Sequence, residues 1–161
     1  MTKKREELLG ILLSQGDLHY LLPNVAIAEI FTLENMQQNQ NLEAPNWVIG
    51  SVEWKQQQLP LLVYNNFVPH SPFHLKQFES AEQPRIAIIN PLTQPGQPKY
   101  AVFCSKIPKL TRLKPQDLKE SPPSSAELQH HAEHESIACS TYCYDDTAFI
   151  PNLIWIEEQI A

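Results

Sequence analysis

Trp47–Phe67 reads WVIGSVEWKQQQLPLLVYNNF. Two β-rich runs flank a polar tip, with Gly50 ten residues before Pro60. This layout predicts one hairpin, with arms Val48–Trp54 and Gln58–Tyr64 and a cationic tip at Lys55–Gln57. Side chains alternate along a strand, so Val48, Val52 and Trp54 should share a face with Gly50. The second arm is apolar on both faces: Leu59, Leu61 and Val63 on one, Leu62 and Tyr64 on the other. A strand of that kind has to be covered on both sides, inside a closed or doubly packed sheet. Gly50 leaves room for another backbone or a partner to come close.

Working outward, Leu8–Leu13 and Leu18–Leu22 read as a first hairpin around Gly16-Asp17. VAIAEIF (Val25–Phe31) fits a strand or a helical turn equally well. MQQNQNL (Met36–Leu42) is polar and aperiodic, hence a loop. Val68–Pro84 is rich in Pro, His and Ser and reads as a connector between two halves. RIAIIN (85–90) and YAVFCS (100–105) are short buried strands. Ile107–Leu113 should extend or pair with the second of them, with Pro108 at an edge or bulge. Ser124 and Glu127 have capping-box spacing, which predicts a helix, SAELQHHAEHE, ending near Ser136. A last hairpin, Ile137–Tyr144 with Thr147–Ile150, turns at Asp145-Asp146. Asn152 then caps a short helix whose Leu153, Ile156 and Ile160 face the core.

The pattern predicts an all-β fold with short helices. Two small five-stranded barrels lie side by side in one domain, 1–161. The expected subdomains are 1–67 and 85–161, joined by 68–84, with the C-terminal helix a candidate to pack on the first. A chain of 161 residues suffices for such a core.

A net charge of −6 and the lack of a basic stripe argue against nucleic acid as the main partner. The cations are scattered, apart from Lys3, Lys4 and Arg5 and a Lys106–Lys114 segment. No run approaches the roughly 20 apolar residues of a membrane span. LLGILL after TKKRE is too short for a secretory core, and SQGD ends it as a turn. Three cysteines suit a reducing compartment and no closed disulfide framework. Cys139 and Cys143, four apart in a strand, would stand about 13 Å apart, too far to be bridged.

HHAEHE (130–135) carries the one catalytic pattern. His130, Glu133 and His134 fit H-x-x-E-H, and on a helix both imidazoles could reach one zinc. The tract is hydrophilic and lacks an evident third ligand, so it reads first as a solvated helix and only then as a zinc site, and no metal or other cofactor is assigned. Nucleophile elbows and phosphate-binding loops are absent, and the four glycines are dispersed. Asp145-Asp146 reads as turn chemistry, and Trp47 and Trp54 as core or barrel-rim residues. Glu29, isolated in an apolar stretch, either faces solvent or pairs with a cation, for which Lys55 is the candidate. An apolar groove of Ile27, Ile30, Gly50 and Val52 beside that pair would suit protein binding.

Ile27-Ala28-Glu29-Ile30 and the segment from Pro45 through Gly50, Val52, Trp54, Leu59, Pro60 and Leu61 resemble motifs of the CheW-like family of bacterial chemosensory adaptors. RIAIIN, YAVFCSKIPKLTRL and IACSTYCYDDTAFIPNLIWIEEQI fall where that family has its second barrel and closing hairpin, so the resemblance covers nearly the whole chain. It implies a non-enzymatic scaffold between a histidine kinase's regulatory domain and the cytoplasmic tip of a chemoreceptor. The implied location is cytoplasmic, at membrane-bound arrays, with self-association between like barrels a further implication. Ile27, Glu29, Gly50 and Lys55 match positions implicated in those contacts. The chain departs where the family has Arg-Gly at the hairpin tip, here Lys55-Gln56, and where it has an Asp, here Ser105. The Gln-rich loop at 37–41 and the helix with HHAEHE depart as well, and such drift resembles the accessory adaptors of type IV pilus systems. A zinc hydrolase or a stand-alone ligand-binding barrel are the competing function classes.

Overall fold

The computed structural model describes residues 8–16, 18–32, 37–38, 47–67, 84–92, 96, 98–113, 133–143 and 146–160. These form eleven strands and one α-helix: β1 (Leu8–Gln15), β2 (Leu18–Pro23), β3 (Ile27–Thr32), β4 (Gln37–Gln38), β5 (Val48–Trp54), β6 (Gln57–Leu62), β7 (Arg85–Ile89), β8 (Tyr100–Cys104), β9 (Lys109–Leu113), β10 (Ile137–Cys143), β11 (Asp146–Pro151) and α1 (Leu153–Ile160). No helix among the described residues is long and apolar enough to cross a membrane.

The strands form two sheets, ordered β10-β11-β2-β1-β9 and β3-β7-β8-β6-β5-β4. The all-β class and the packed pair of sheets match the sequence expectation, with the two-residue β4 as a sixth strand of the second sheet. The expected division into 1–67 and 85–161 does not. The N-terminal hairpin joins the C-terminal hairpin through the parallel pair β2·β11, where Tyr20 faces Phe149. The second sheet takes every strand from 27 to 104. The 68–84 connector thus links β6 and β7, two strands of one sheet. A long polar stretch marks where chain leaves a sheet, not which sheet it rejoins.

Burial explains the order. β8 is buried along its whole length and β7 over four of its five residues. Such strands need neighbours on both edges and cover on both faces. β8 therefore lies between β7 and β6. Both its edges are taken, so β9 pairs with β1 and not with β8 as the sequence suggested.

The largest core cluster draws Ile11, Leu13, Tyr20, Leu22 and Phe149 from the first sheet, Leu62, Ala87, Ile89, Tyr100 and Val102 from the second, and Tyr64 from the 3-10 turn Tyr64–Phe67 that follows β6. It lies between the sheets, and α1 packs there through Ile156, Leu153 and Ile160. Each fully buried large side chain contributes about 1.5–3 kcal/mol. The Asn152 side-chain oxygen accepts the Trp155 amide at 3.2 Å, the expected N-cap. A second cluster, Val52, Leu59, Leu61, Val63, Ile86, Ile88, Ala101 and Phe103, fills the other face of the second sheet. β6 ends at Leu62, short of the expected Tyr64, which opens a 3-10 turn. The strand is apolar on both faces because Leu59 and Leu61 meet one core and Leu62 the other.

A buried polar clasp joins the sheets at the β1–β2 turn. Gln15, 0% exposed, donates to the Phe103 carbonyl at 2.9 Å and accepts the Asn65 amide at 3.2 Å. Asn65 donates to the Gln15 carbonyl at 3.0 Å, and its side-chain oxygen accepts the Tyr20 hydroxyl. Ser105 continues the clasp: its hydroxyl donates to the Ser14 carbonyl at 3.0 Å and accepts the Gly16 amide at 3.1 Å.

Smaller differences follow from local geometry. Asn24–Ala26 is a 3-10 turn, which resolves the ambiguous VAIAEIF into a turn followed by β3. Gln37-Gln38, expected as loop, pairs with Ser51 and Gly50. In the last hairpin Asp146, expected in the turn, is the first residue of β11 and pairs with Cys143 of β10.

Candidate functional site

Two β-bulges set the site. In β3, Ile27 faces Ile89 and Glu29 faces Ile88, so Ala28 is the extra residue. Without the bulge Ile27 and Glu29 would share a face, as simple alternation suggests. With it, Ile27 and Ile30 pack against the inter-sheet cluster, while Phe31 packs with the second cluster. Glu29 shares the Phe31 face. In β5 the shift between Val48 and Gly50 likewise inserts Ile49, which joins Val52 and Trp54 on the second cluster. Val48 therefore leaves the face on which alternation placed it.

Glu29 and Trp54 meet as a result. The Trp54 indole N–H donates to a Glu29 carboxylate oxygen at 2.5 Å, linking β3 to β5 across the curled second sheet. The Lys55 ammonium lies 4.6 Å from the centroid of the same ring, and that of Lys99 lies 5.9 Å from it. Lys99 directly precedes β8. Its register parity matches Ala101 and Phe103, which face the same cluster as Trp54.

The hairpin tip presents Lys55. Trp54 pairs with Gln57, so the loop is two residues, one shorter than expected. Lys55 and Gln56 have φ of 46° and 65°. Such a turn needs both central residues left-handed, the geometry that Asn-Gly adopts most cheaply. Gln56 adopts it without being glycine, at a cost of about 1–2 kcal/mol. The Lys55-Gln56 tip is therefore left-handed at both central residues.

Of the four sequence-nominated residues, the structure brings Glu29 and Lys55 to one ring, both exposed. Their expected direct pairing runs instead through Trp54. Ile27 and Gly50 belong to the packing. Ile27 is half-buried on the inter-sheet face. Gly50 is buried and pairs on its two edges with Leu61 of β6 and Gln38 of β4. The expected groove of Ile27, Ile30, Gly50 and Val52 does not form, because Ile27 and Ile30 face one core and Val52 the other. Sequence reading placed Trp54 at the rim without a role and passed over Lys99; the alternation of Lys99 with Ala101 and Phe103 was the available signal.

Around the histidine tract, 133–136 is a turn and not the end of a helix. The Ser136 amide donates to His134 Nδ1 at 3.1 Å, and the imidazole packs edge-on to Trp155, with centroids 5.5 Å apart. Glu135 accepts the Trp155 indole N–H at 2.9 Å. Glu133 is exposed, and His130 lies outside the described residues. Among the described residues no three His, Cys, Asp or Glu side chains gather in a way that could hold a metal ion.

The remaining titratable groups of note are buried. Burial pushes the Cys104 thiol up to about 12 and raises the Tyr20, Tyr64 and Tyr100 phenols above their ordinary range. Cys104 and Cys139 are free thiols.

No protein-family model matches the chain, and no curated protein matches it in sequence. Among solved structures it is similar to the scaffolding protein TtCheW from Thermoanaerobacter tengcongensis, at 14% identity and a TM-score of 0.65. The match covers 91% of this chain and 84% of that one. The fold is CheW-like, as the motif resemblance implied.

Proposed function

We propose that this protein is a non-catalytic adaptor of a bacterial chemosensory array. It couples the cytoplasmic tip of a chemoreceptor to the regulatory domain of a histidine kinase. The observation that carries the reading is the likeness to a scaffolding protein over 91% of the chain. The arrangement at Trp54 supports it. Glu29 and Lys55, which match contact positions in the resembling family, stand exposed on one ring at a hairpin tip. A tip beside a sheet edge suits docking of a helix or of another barrel. Work at the cytoplasmic face of receptor arrays, with weak contacts summed over several neighbours, follows from such a role. Control of type IV pilus motility is the finer assignment, resting on the Lys55-Gln56 and Ser105 departures.

The test is a titration of the purified chain against a receptor-tip fragment and a kinase regulatory domain. Saturable binding to both supports the adaptor role. Absence of binding to either, with the chain folded, removes it.

A further inference from the structure

Glu29, Trp54 and Lys99 share the concave face of the second sheet at one end, and Lys55 overhangs them from the hairpin tip. Two ammonium groups thus converge on one indole. Neither has a carboxylate partner among the described residues. Glu29 is the acidic group at the ring, and one of its oxygens already accepts the indole N–H. Among the described residues the charge at the ring is therefore positive, on a chain whose net charge is −6. Like charges held together repel, and each lysine keeps three N–H donors that the ring face does not engage. Lys55 is also held on a left-handed, non-glycine tip, a conformation that persists where surrounding structure enforces it.

We propose that this end of the second sheet, Lys55 and Lys99 around Trp54, docks an acidic segment of a partner protein. A Glu or Asp carboxylate of that segment bridges the two ammonium groups, while a neighbouring apolar side chain lies on the indole. The inference rests on the adaptor reading and names the chemistry of one contact within it. A carboxylate suits the site better than a phosphate. Lys offers a compact point charge instead of a bidentate fork. Glu29 at the ring edge opposes a doubly charged anion more strongly than a singly charged one. Lys99 is then a specificity-determining residue that the motif resemblance does not supply.

The experiment follows the three tryptophan indole N–H signals of the isotope-labelled full chain by NMR. The Trp54 signal is assigned with Trp54→Phe. The probes are poly-glutamate, poly-lysine and inorganic phosphate. The expected result is a saturating shift of the Trp54 signal with poly-glutamate alone. Affinity should weaken about tenfold between low and 0.5 M salt, as screening of exposed charges requires. The shift should be lost in Lys55→Gln/Lys99→Gln while the rest of the spectrum stays that of the folded chain. No shift, an equal shift with inorganic phosphate, or an unchanged response in the double variant overturns the proposal. The receptor and kinase titration is separate. Binding there with no response here removes this contact alone, whereas failure there removes the adaptor reading itself.

Discussion

The Trp54 indole N–H donates to the Glu29 carboxylate at 2.5 Å, joining β3 and β5, which are not hydrogen-bonded neighbours in the second sheet. The bond exists because the bulge at Ala28 turns Glu29 onto the Trp54 face. It links the two strands and holds the ring beside which both lysine ammonium groups lie. Glu29→Ala removes the acceptor of an exposed, charge-assisted bond. The expected loss is about 0.5–1 kcal/mol in urea unfolding, at the low end because water can replace the carboxylate. Trp54 emission should shift to the red. An unchanged Trp54 signal would show that the bond does not form in solution.

Gln56 sits at φ 65° in a turn that favours glycine at that position. Gln56→Gly should raise stability by about 0.5–1 kcal/mol, the relief of left-handed strain less the entropy glycine adds to the unfolded chain. The denaturation midpoint should rise with an unchanged slope. A fall would mean that Gln56 makes a compensating contact.

Lys55→Glu reverses the charge at the tip without touching the core. It should weaken binding to the receptor tip or the kinase domain while thermal unfolding moves little, since exposed charges contribute about 0–1 kcal/mol to stability. Wild-type binding of both partners would leave the tip without a docking role.

Gln15 is the centre of the clasp between sheets. Gln15→Ala leaves the Asn65 amide and the Phe103 carbonyl without their buried partner. The expected cost is about 1–3 kcal/mol, that of a buried amide left without its partner. Equilibrium unfolding measures it, and a cost below 1 kcal/mol would show that the clasp is dispensable.

The buried Cys104, Tyr20, Tyr64 and Tyr100 set the alkaline limit. Each keeps its proton in the folded chain at pH values where the unfolded chain loses it. The folded state then binds more protons, so stability falls as pH rises. Stability should be flat across neutral pH, begin to fall near pH 9 as unfolded Cys104 ionises, and fall more steeply above 10 as the phenols follow. Each fully engaged group adds about 1.4 kcal/mol per pH unit. Cys104→Ala should remove the first part of the fall. Unchanged stability up to pH 11 would contradict this burial.

What was legible in the sequence was chemistry repeated along a segment. The two apolar faces of Leu59–Leu62, the first hairpin of β1 and β2 and the cap at Asn152 each depend on neighbours in the chain. The sheet memberships were not legible, because Tyr20 meeting Phe149 across 129 positions in sequence leaves no local mark. The site was half legible. Glu29 stood out as a charge in an apolar stretch and Lys55 as the cation of a hairpin tip. Their meeting at Trp54 depends on the bulge at Ala28, and no glycine or proline announces it. A pattern read with unbroken alternation puts Glu29 on the wrong face.

The most direct measurement of the adaptor role is a ternary one. A labelled receptor-tip fragment and a kinase regulatory domain are mixed with and without the full chain, and their co-sedimentation is followed by analytical ultracentrifugation. The expected result is a complex containing all three, formed only when the chain is present and weakened by Lys55→Glu. Receptor and kinase fragments that sediment separately in the presence of saturating folded chain would contradict it.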